Sequence, residues 1–172
     1  MSENQRAMDL WLEFKGRNPY PSDLLPILQK GDSDVRTAAW DHFKSLNPSR
    51  RFVIDVIVST SDFKHEAWMF FRSLYGAPEL SELLQIIEGA ESLHEAAWSD
   101  LLGCASSEED LIRVIKAAPS LMERAFARLL LFRPFEGQLS QLRADVPATK
   151  DLVDAFFARP KGTILTDLLA VL

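Results

Sequence analysis

Apolar positions along the chain follow one helical rhythm that restarts at near-constant intervals. A small residue, replaced by leucine in the first copy, followed by an aromatic one marks each restart: Leu10-Trp11, Ala39-Trp40, Ala67-Trp68, Ala97-Trp98, Ala125-Phe126 and Ala155-Phe156. Successive aromatics lie 29, 28, 30, 28 and 30 residues apart, and all four tryptophans fall in this one column. Four residues before the small residue sit Val35, Phe63, Leu93 and Leu121. Four after it sit Phe14, Phe43, Phe71, Leu101 and Leu129, and seven after it Leu46, Leu74, Cys104 and Phe132. This is the i, i+4, i+7 stripe of a core-facing helix. An alanine in mid-stripe lets a neighbouring helix approach closely. A period in this range signals stacked units that bury their apolar faces only against their neighbours.

Between these helices the pattern predicts shorter, aliphatic ones: Asp23–Lys30, Arg50–Ser59, Glu79–Gly89, Glu108–Ala117 and Phe135–Ala144, with another beginning near Gly162. Arg50–Ser59 is rich in valine and isoleucine and alone reads as a strand. Its place among sister segments such as LSELLQII decides for helix. Ser92-x-x-Glu95, Ser120-x-x-Glu123 and Ser106-x-x-Glu109 have the spacing of capping boxes. Pro19, Pro48 and Pro134 close the helices before them, and the earlier Pro160 predicts a shorter last aromatic helix. The short connections leave no room for an inserted domain or a lid. The expected organisation is a single domain over residues 1–172, all-α. The closing TILTDLLAVL has no polar helix after it, and solenoids need polar terminal faces. Folding back to plug the stack is preferred here over docking on another subunit or continuation into a longer protein.

The run SDLLPILQKGDSDVRTAAWDHFKSL resembles one HEAT repeat: an aliphatic helix containing Pro26, an aspartate-bearing turn at Asp32 and Asp34, then Val35-Arg36 and alanines opening the next helix. Its length is similar to that of the compact HEAT-like repeats of bacterial proteins, including those similar to phycobilin lyases. Elsewhere the match is degenerate. Lys64, His94, Met122 and Leu152 stand in the arginine position, and the helix proline does not recur. The resemblance implies a right-handed α–α superhelix, a HEAT-like solenoid of about six helix pairs with incomplete end units. It places the Trp-bearing helices on a concave face. It carries no catalytic residues, since such units are scaffolds for many tasks.

Composition narrows the function classes. The 172 residues carry a net charge of −6, which disfavours a generic phosphate-backbone binder. One cysteine, Cys104, excludes an intrachain disulfide and a multi-cysteine metal site; in the apolar column it reads as an inert core thiol. His42, His65 and His94 fall in three successive units without metal-ligand spacing, so no metal is expected. Glu108-Glu109-Asp110 opens a helix, where negative charge complements the macrodipole. No nucleophile motif or glycine-rich phosphate loop occurs, so neither cofactor nor catalytic residue is assigned. The start MSENQRAMDL lacks signal-peptide character, and no apolar run reaches membrane-spanning length. A cytoplasmic protein with no membrane contact is the expectation.

Two surfaces stand out as candidates. Arg36–Trp40, Lys64–Trp68 and His94–Trp98 are i, i+4 basic–indole pairs, the candidate cation–π ladder. They read either as a strip gripping an acidic or nucleic-acid ligand, or as core indoles with basic stems laid over them. The second surface lies two and three residues after the small residue: Asp41-His42, Met69-Phe70, Ser99-Asp100 and Ala127-Arg128, with His65 and Arg72 alongside. Met69 and Phe70 make their helix apolar nearly all round, which fits either an exposed anchor in a polar rim or deeper burial of that helix. An all-apolar run at Leu129–Phe132 is assigned to the core. The favoured function is a non-enzymatic binder of another protein, an adaptor, chaperone or immunity-type module. The alternative is a nucleic-acid-binding or repair protein similar to alkylpurine DNA glycosylases, for which an inward carboxylate such as Asp100 would speak.

Overall fold

The computed structural model describes residues 3–158. Eleven α-helices account for its regular structure, with three short 3-10 turns and no strand among the described residues: α1 (Glu3–Lys15), α2 (Pro21–Lys30), α3 (Ser33–Ser45), α4 (Arg50–Ser59), α5 (Lys64–Tyr75), α6 (Leu80–Gly89), α7 (His94–Leu102), α8 (Glu108–Ala117), α9 (Met122–Leu130), α10 (Glu136–Asp145) and α11 (Lys150–Phe157). Each even-numbered, aliphatic helix packs on the aromatic helix that follows it. The contacts divide the chain into two compact units, Met1–Pro78 and Glu79–Leu172. The helix expected from Gly162, and Pro160 before it, lie outside the described residues.

In the first unit α2 packs on α3 and α4 on α5, while α1 packs on α3 and α2 on α4. Burial follows the sequence columns. Val35 and Phe63 are buried, Ala39 and Ala67 are sealed at 0% exposure, and Phe43 and Phe71 close the stripe. Arg50 ties the start of α4 to the end of α5: its guanidinium lies over Phe71 and Tyr75, 4.9 and 5.5 Å from the ring centres. It also donates to the Tyr75 and Ala77 carbonyls. The turns after α1 and α3 place Asn18 and Asn47 in the left-handed region, at φ 53° and 48°, immediately before Pro19 and Pro48. Asparagine tolerates that conformation, and the proline ends the helix.

The second unit repeats with a strict register. α6, α8 and α10 begin at residues 80, 108 and 136, and α7, α9 and α11 at 94, 122 and 150, always 28 apart. Three connectors repeat one backbone shape: Ala90, Ala118 and Val146 hold φ/ψ near −136/75, −126/88 and −127/84. Each leads into a 3-10 turn, Glu91–Leu93, Pro119–Leu121 and Pro147–Thr149. The residues before the aliphatic helices also agree, Glu79, Ser107 and Phe135 all being extended. At these starts the side chains of Glu82, Asp110 and Gln138 accept the backbone N–H of the residue three before, satisfying donors the helix leaves open.

Several sequence expectations need correction. Ser92 and Ser120 cap no helix; they sit inside the 3-10 turns, and neither α7 nor α9 has a side-chain cap. The cap of α8 is Ser107 with Asp110, one residue later than expected. In α11 the buried position is Val153, while Ala155 is exposed and Phe156 half-buried. The column therefore runs Ala97, Ala125, Val153, with Thr149 buried in the place of Leu93 and Leu121. Lys150, not Leu152, takes the basic position, because the 3-10 turn starting at Pro147 sets the phase. α11 is, with eight residues, the shortest α-helix described. The position seven after the small residue is not core: Leu74 and Phe132 are each 44% exposed and Cys104 is half-buried. It falls on the last turn of the helix or beyond it, where the chain has left the phase of the stripe. Leu131 is exposed as well, so the apolar run from Leu129 is core only through Leu130.

Candidate functional site

The cation–indole contacts form, with other partners than the sequence spacing offers. Lys44 stands over Trp40 and Arg72 over Trp68, at 5.4 and 5.5 Å, each four residues after its indole. Arg124 of α9 stands 5.9 Å from the ring of Trp98 on α7. Side chains on a helix lean toward its N-terminus, so a long cation at i+4 lies back over the indole at i. Arg36 instead pairs with Asp62 and lies 5.7 Å from the Phe63 ring. Lys64 is half-buried at the start of α5.

His94 is not a surface group at all. Only 6% of it is exposed, its Nε2 is 2.8 Å from the Ile87 carbonyl and its Nδ1 is 2.8 Å from the Ser120 hydroxyl. A carbonyl only accepts, so Nε2 carries the proton and the hydroxyl donates to Nδ1 in the neutral ring. His94 thereby holds the end of α6, the start of α7 and the turn before α9 together. Trp40, Trp68 and Trp98 are all buried.

The second candidate surface splits by position. Two residues after the small one, Asp41, Met69 and Ser99 are exposed, whereas Ala127 is buried. Three after it, His42, Phe70, Asp100 and Arg128 are half-buried. Phe70 meets Trp40 edge-on, with ring centres 5.8 Å apart. Of the expected pair, Met69 is the outward side chain, at 67% exposure. Polar groups lie across α3 and α5: Lys44 bridges Asp41 of its own helix and Glu66 of the next, at 3.0 and 3.1 Å. Burial works against the lysine's charge, and the hydrogen bonds it donates to both carboxylates outweigh that, raising its pKa. His65 is exposed near the start of α5.

His42 packs its ring edge against Trp11 at 6.0 Å, and its buried Nε2 has no hydrogen-bond partner. Burial, and then the Lys15 ammonium, lower its pKa below 6.5. In the second unit, Arg128 donates to the Leu102 carbonyl at 3.3 Å. The Cys104 thiol donates weakly to the Asp100 carbonyl at 3.5 Å. Glu95 pairs with Arg124, so the cation over Trp98 is neutralised as Lys44 is.

Among the described residues no three of His, Cys, Asp and Glu converge as metal ligands, and no helix is long and apolar enough to cross a membrane. The arrangement is one of packed indoles, compensated ion pairs and one exposed methionine. Compared with known protein families, curated proteins and solved structures, the chain matches none.

Proposed function

We propose that the chain is a non-enzymatic protein–protein interaction module, an adaptor, chaperone or immunity-type binder. It is read as a single HEAT-like domain, a right-handed superhelix of about six helix pairs with incomplete end units. Its Trp-bearing helices form the concave face that takes the partner. One observation supports this most: Met69 projects at 67% exposure beside the Lys44–Asp41–Glu66 network. An apolar anchor inside a polar rim is the usual anatomy of a partner site.

The nucleic-acid reading is the weaker one. Of the cations over indoles, Lys44 and Arg124 are each paired with carboxylates, which removes them as phosphate ligands. The test is affinity capture from the native cell at high salt with the wild type and Met69→Asp. One protein retained by the wild type and lost by the variant, at unchanged circular dichroism, supports the reading. A shift of DNA by the wild type at physiological salt overturns it.

A further inference from the structure

The turn between α9 and α10 departs from its sister one 28-residue step earlier. Where the turn between α7 and α8 has Gly103, Cys104 and Ser107, this one has Leu131, Phe132 and Phe135. Leu131 is 50% exposed, Phe132 44% and Phe135 79%, the highest value for a large apolar side chain among the described residues. Their backbone is held in place, since Leu131, Phe132 and Arg133 each donate to a carbonyl three residues back.

Two of the departures work against the local structure. Ser107 caps α8 by accepting the Asp110 N–H, whereas Phe135 has no group with which to cap α10. Arg133 takes φ 56°, a left-handed conformation that the turns after α1 and α3 give to Asn18 and Asn47. Breaks with local preference that the fold does not need gather where a surface has another task.

A fourth apolar side chain joins these three at one edge of the second unit. Arg128 near the end of α9 donates to the Leu102 carbonyl, which brings the end of α7 and its exposed Leu102 beside this turn. Gln138 donates to Glu108, so the starts of α8 and α10 lie along the same edge. Taking about 200 Å² for a whole ring side chain, Phe132 and Phe135 alone leave roughly 250 Å² open. With Leu102 and Leu131 added, the patch reaches the size that marks an interaction site.

The charges around the patch select its partner. Arg133 and Glu136 flank Phe135 in the chain, both exposed, and neither makes an ion pair among the described residues. Glu108, Glu109 and Asp110 at the start of α8 add carboxylates, which disfavour an anionic lipid or nucleic-acid surface. An apolar centre bordered by an unpaired cation and an unpaired anion is complementary to itself. We propose that this edge joins two copies of the chain in an isologous dimer centred on Leu131, Phe132 and Phe135. About a two-fold axis, Arg133 of each copy meets Glu136 of the other and the phenylalanines pack between them. A stable interface takes about 800 Å² from each partner, a little over half of it non-polar. The four apolar side chains supply most of that non-polar share. The contact is independent of the Met69 face proposed above for a foreign partner.

The experiment is sedimentation of the full chain over a range of concentrations. The wild type is expected to pass from its 19.4 kDa monomer to a dimer and no further. Phe135→Ser, which installs the capping residue of the sister turn, is expected to stay monomeric. Arg133→Asp and Glu136→Lys should each weaken the dimer about tenfold or more, because each sets like charges against one another twice. An equimolar mixture of these two should form a 1:1 heterodimer, each copy then offering the charges the other lacks. Circular dichroism checks folding, with Leu131→Ser, Arg133→Glu and Glu136→Arg as replacements for a variant that fails it. A wild type monomeric at every concentration overturns the proposal and leaves the patch to a foreign partner. So does a wild-type species larger than a dimer, a Phe135→Ser dimer as tight as wild type, or a mixture no tighter than its components.

Discussion

Replacing His94 by alanine tests the reading of this residue as a core link. The substitution removes the donor to the Ile87 carbonyl, one of the last carbonyls of α6, which has no partner within its own helix. A buried carbonyl left unpaired costs about 1–3 kcal/mol, and loss of the Ser120 bond a further ~0.5–1.5 kcal/mol. The expected loss is about 2–4 kcal/mol, a large part of the stability of a typical domain. Ser120→Ala alone should cost about 1 kcal/mol, and much less in the His94→Ala background, because its partner is already gone. Glutamine places an amide nitrogen near the position of Nε2, so His94→Gln should recover part of the loss. Urea unfolding followed by circular dichroism measures the four variants against the wild type. A loss under about 0.5 kcal/mol for His94→Ala, or a Ser120→Ala cost the same in both backgrounds, would refute the reasoning.

Three further outcomes are expected. Val153→Asp should cost about 3–5 kcal/mol by burying an unpaired charge, while Ala155→Asp stays within about 0.5 kcal/mol; thermal melts decide between the two registers of α11. His42 has a folded-state pKa below its ordinary 6.5, so as pH falls below that value the unfolded state binds the proton first. Stability should be level above 6.5 and decline beneath it, and the difference between wild type and His42→Gln across about pH 5–7 should show that slope. Arg133 sits at φ 56° before Pro134, where the sister turns use Asn18 and Asn47; Arg133→Asn should raise stability by up to about 1 kcal/mol in urea titrations.

The helix pairs were legible because each is written in a strong 3.6-residue stripe. α4 and α8 begin and end where the pattern puts them, and the valine-rich α4 was rescued from a strand reading by its sisters. The register of α11 was not legible by residue identity. Ala155-Phe156 looks more like the other small–aromatic steps than Val153-Asp154 does, yet burial selects any apolar side chain at the right phase. The signal that finds it is the 28-residue step from Pro119 to Pro147, which both open 3-10 turns. Cation–indole pairing depends on the direction in which helical side chains lean, which spacing alone leaves ambiguous between i−4 and i+4. His94 shares a sequence column with Arg36 and Lys64, and only the tertiary positions of Ile87 and Ser120 turn it inward. For Met69 and Phe70 the sequence showed an all-apolar helix but could not say which of the two Trp40 would cover.

The strict spacing of the second unit has a consequence for how such a chain changes length. Ser107 and Phe135 hold the same extended backbone, each just before an aliphatic helix and 28 residues apart. Excising residues 108–135 would join Ser107 to Glu136 across a junction whose conformation the fold already uses. Duplicating that stretch would do the same in reverse. Growth and loss are then quantised: a gene can add or drop whole 28-residue cassettes without inventing a loop, whereas one residue too many would rotate every later stripe by about 100° and expose it.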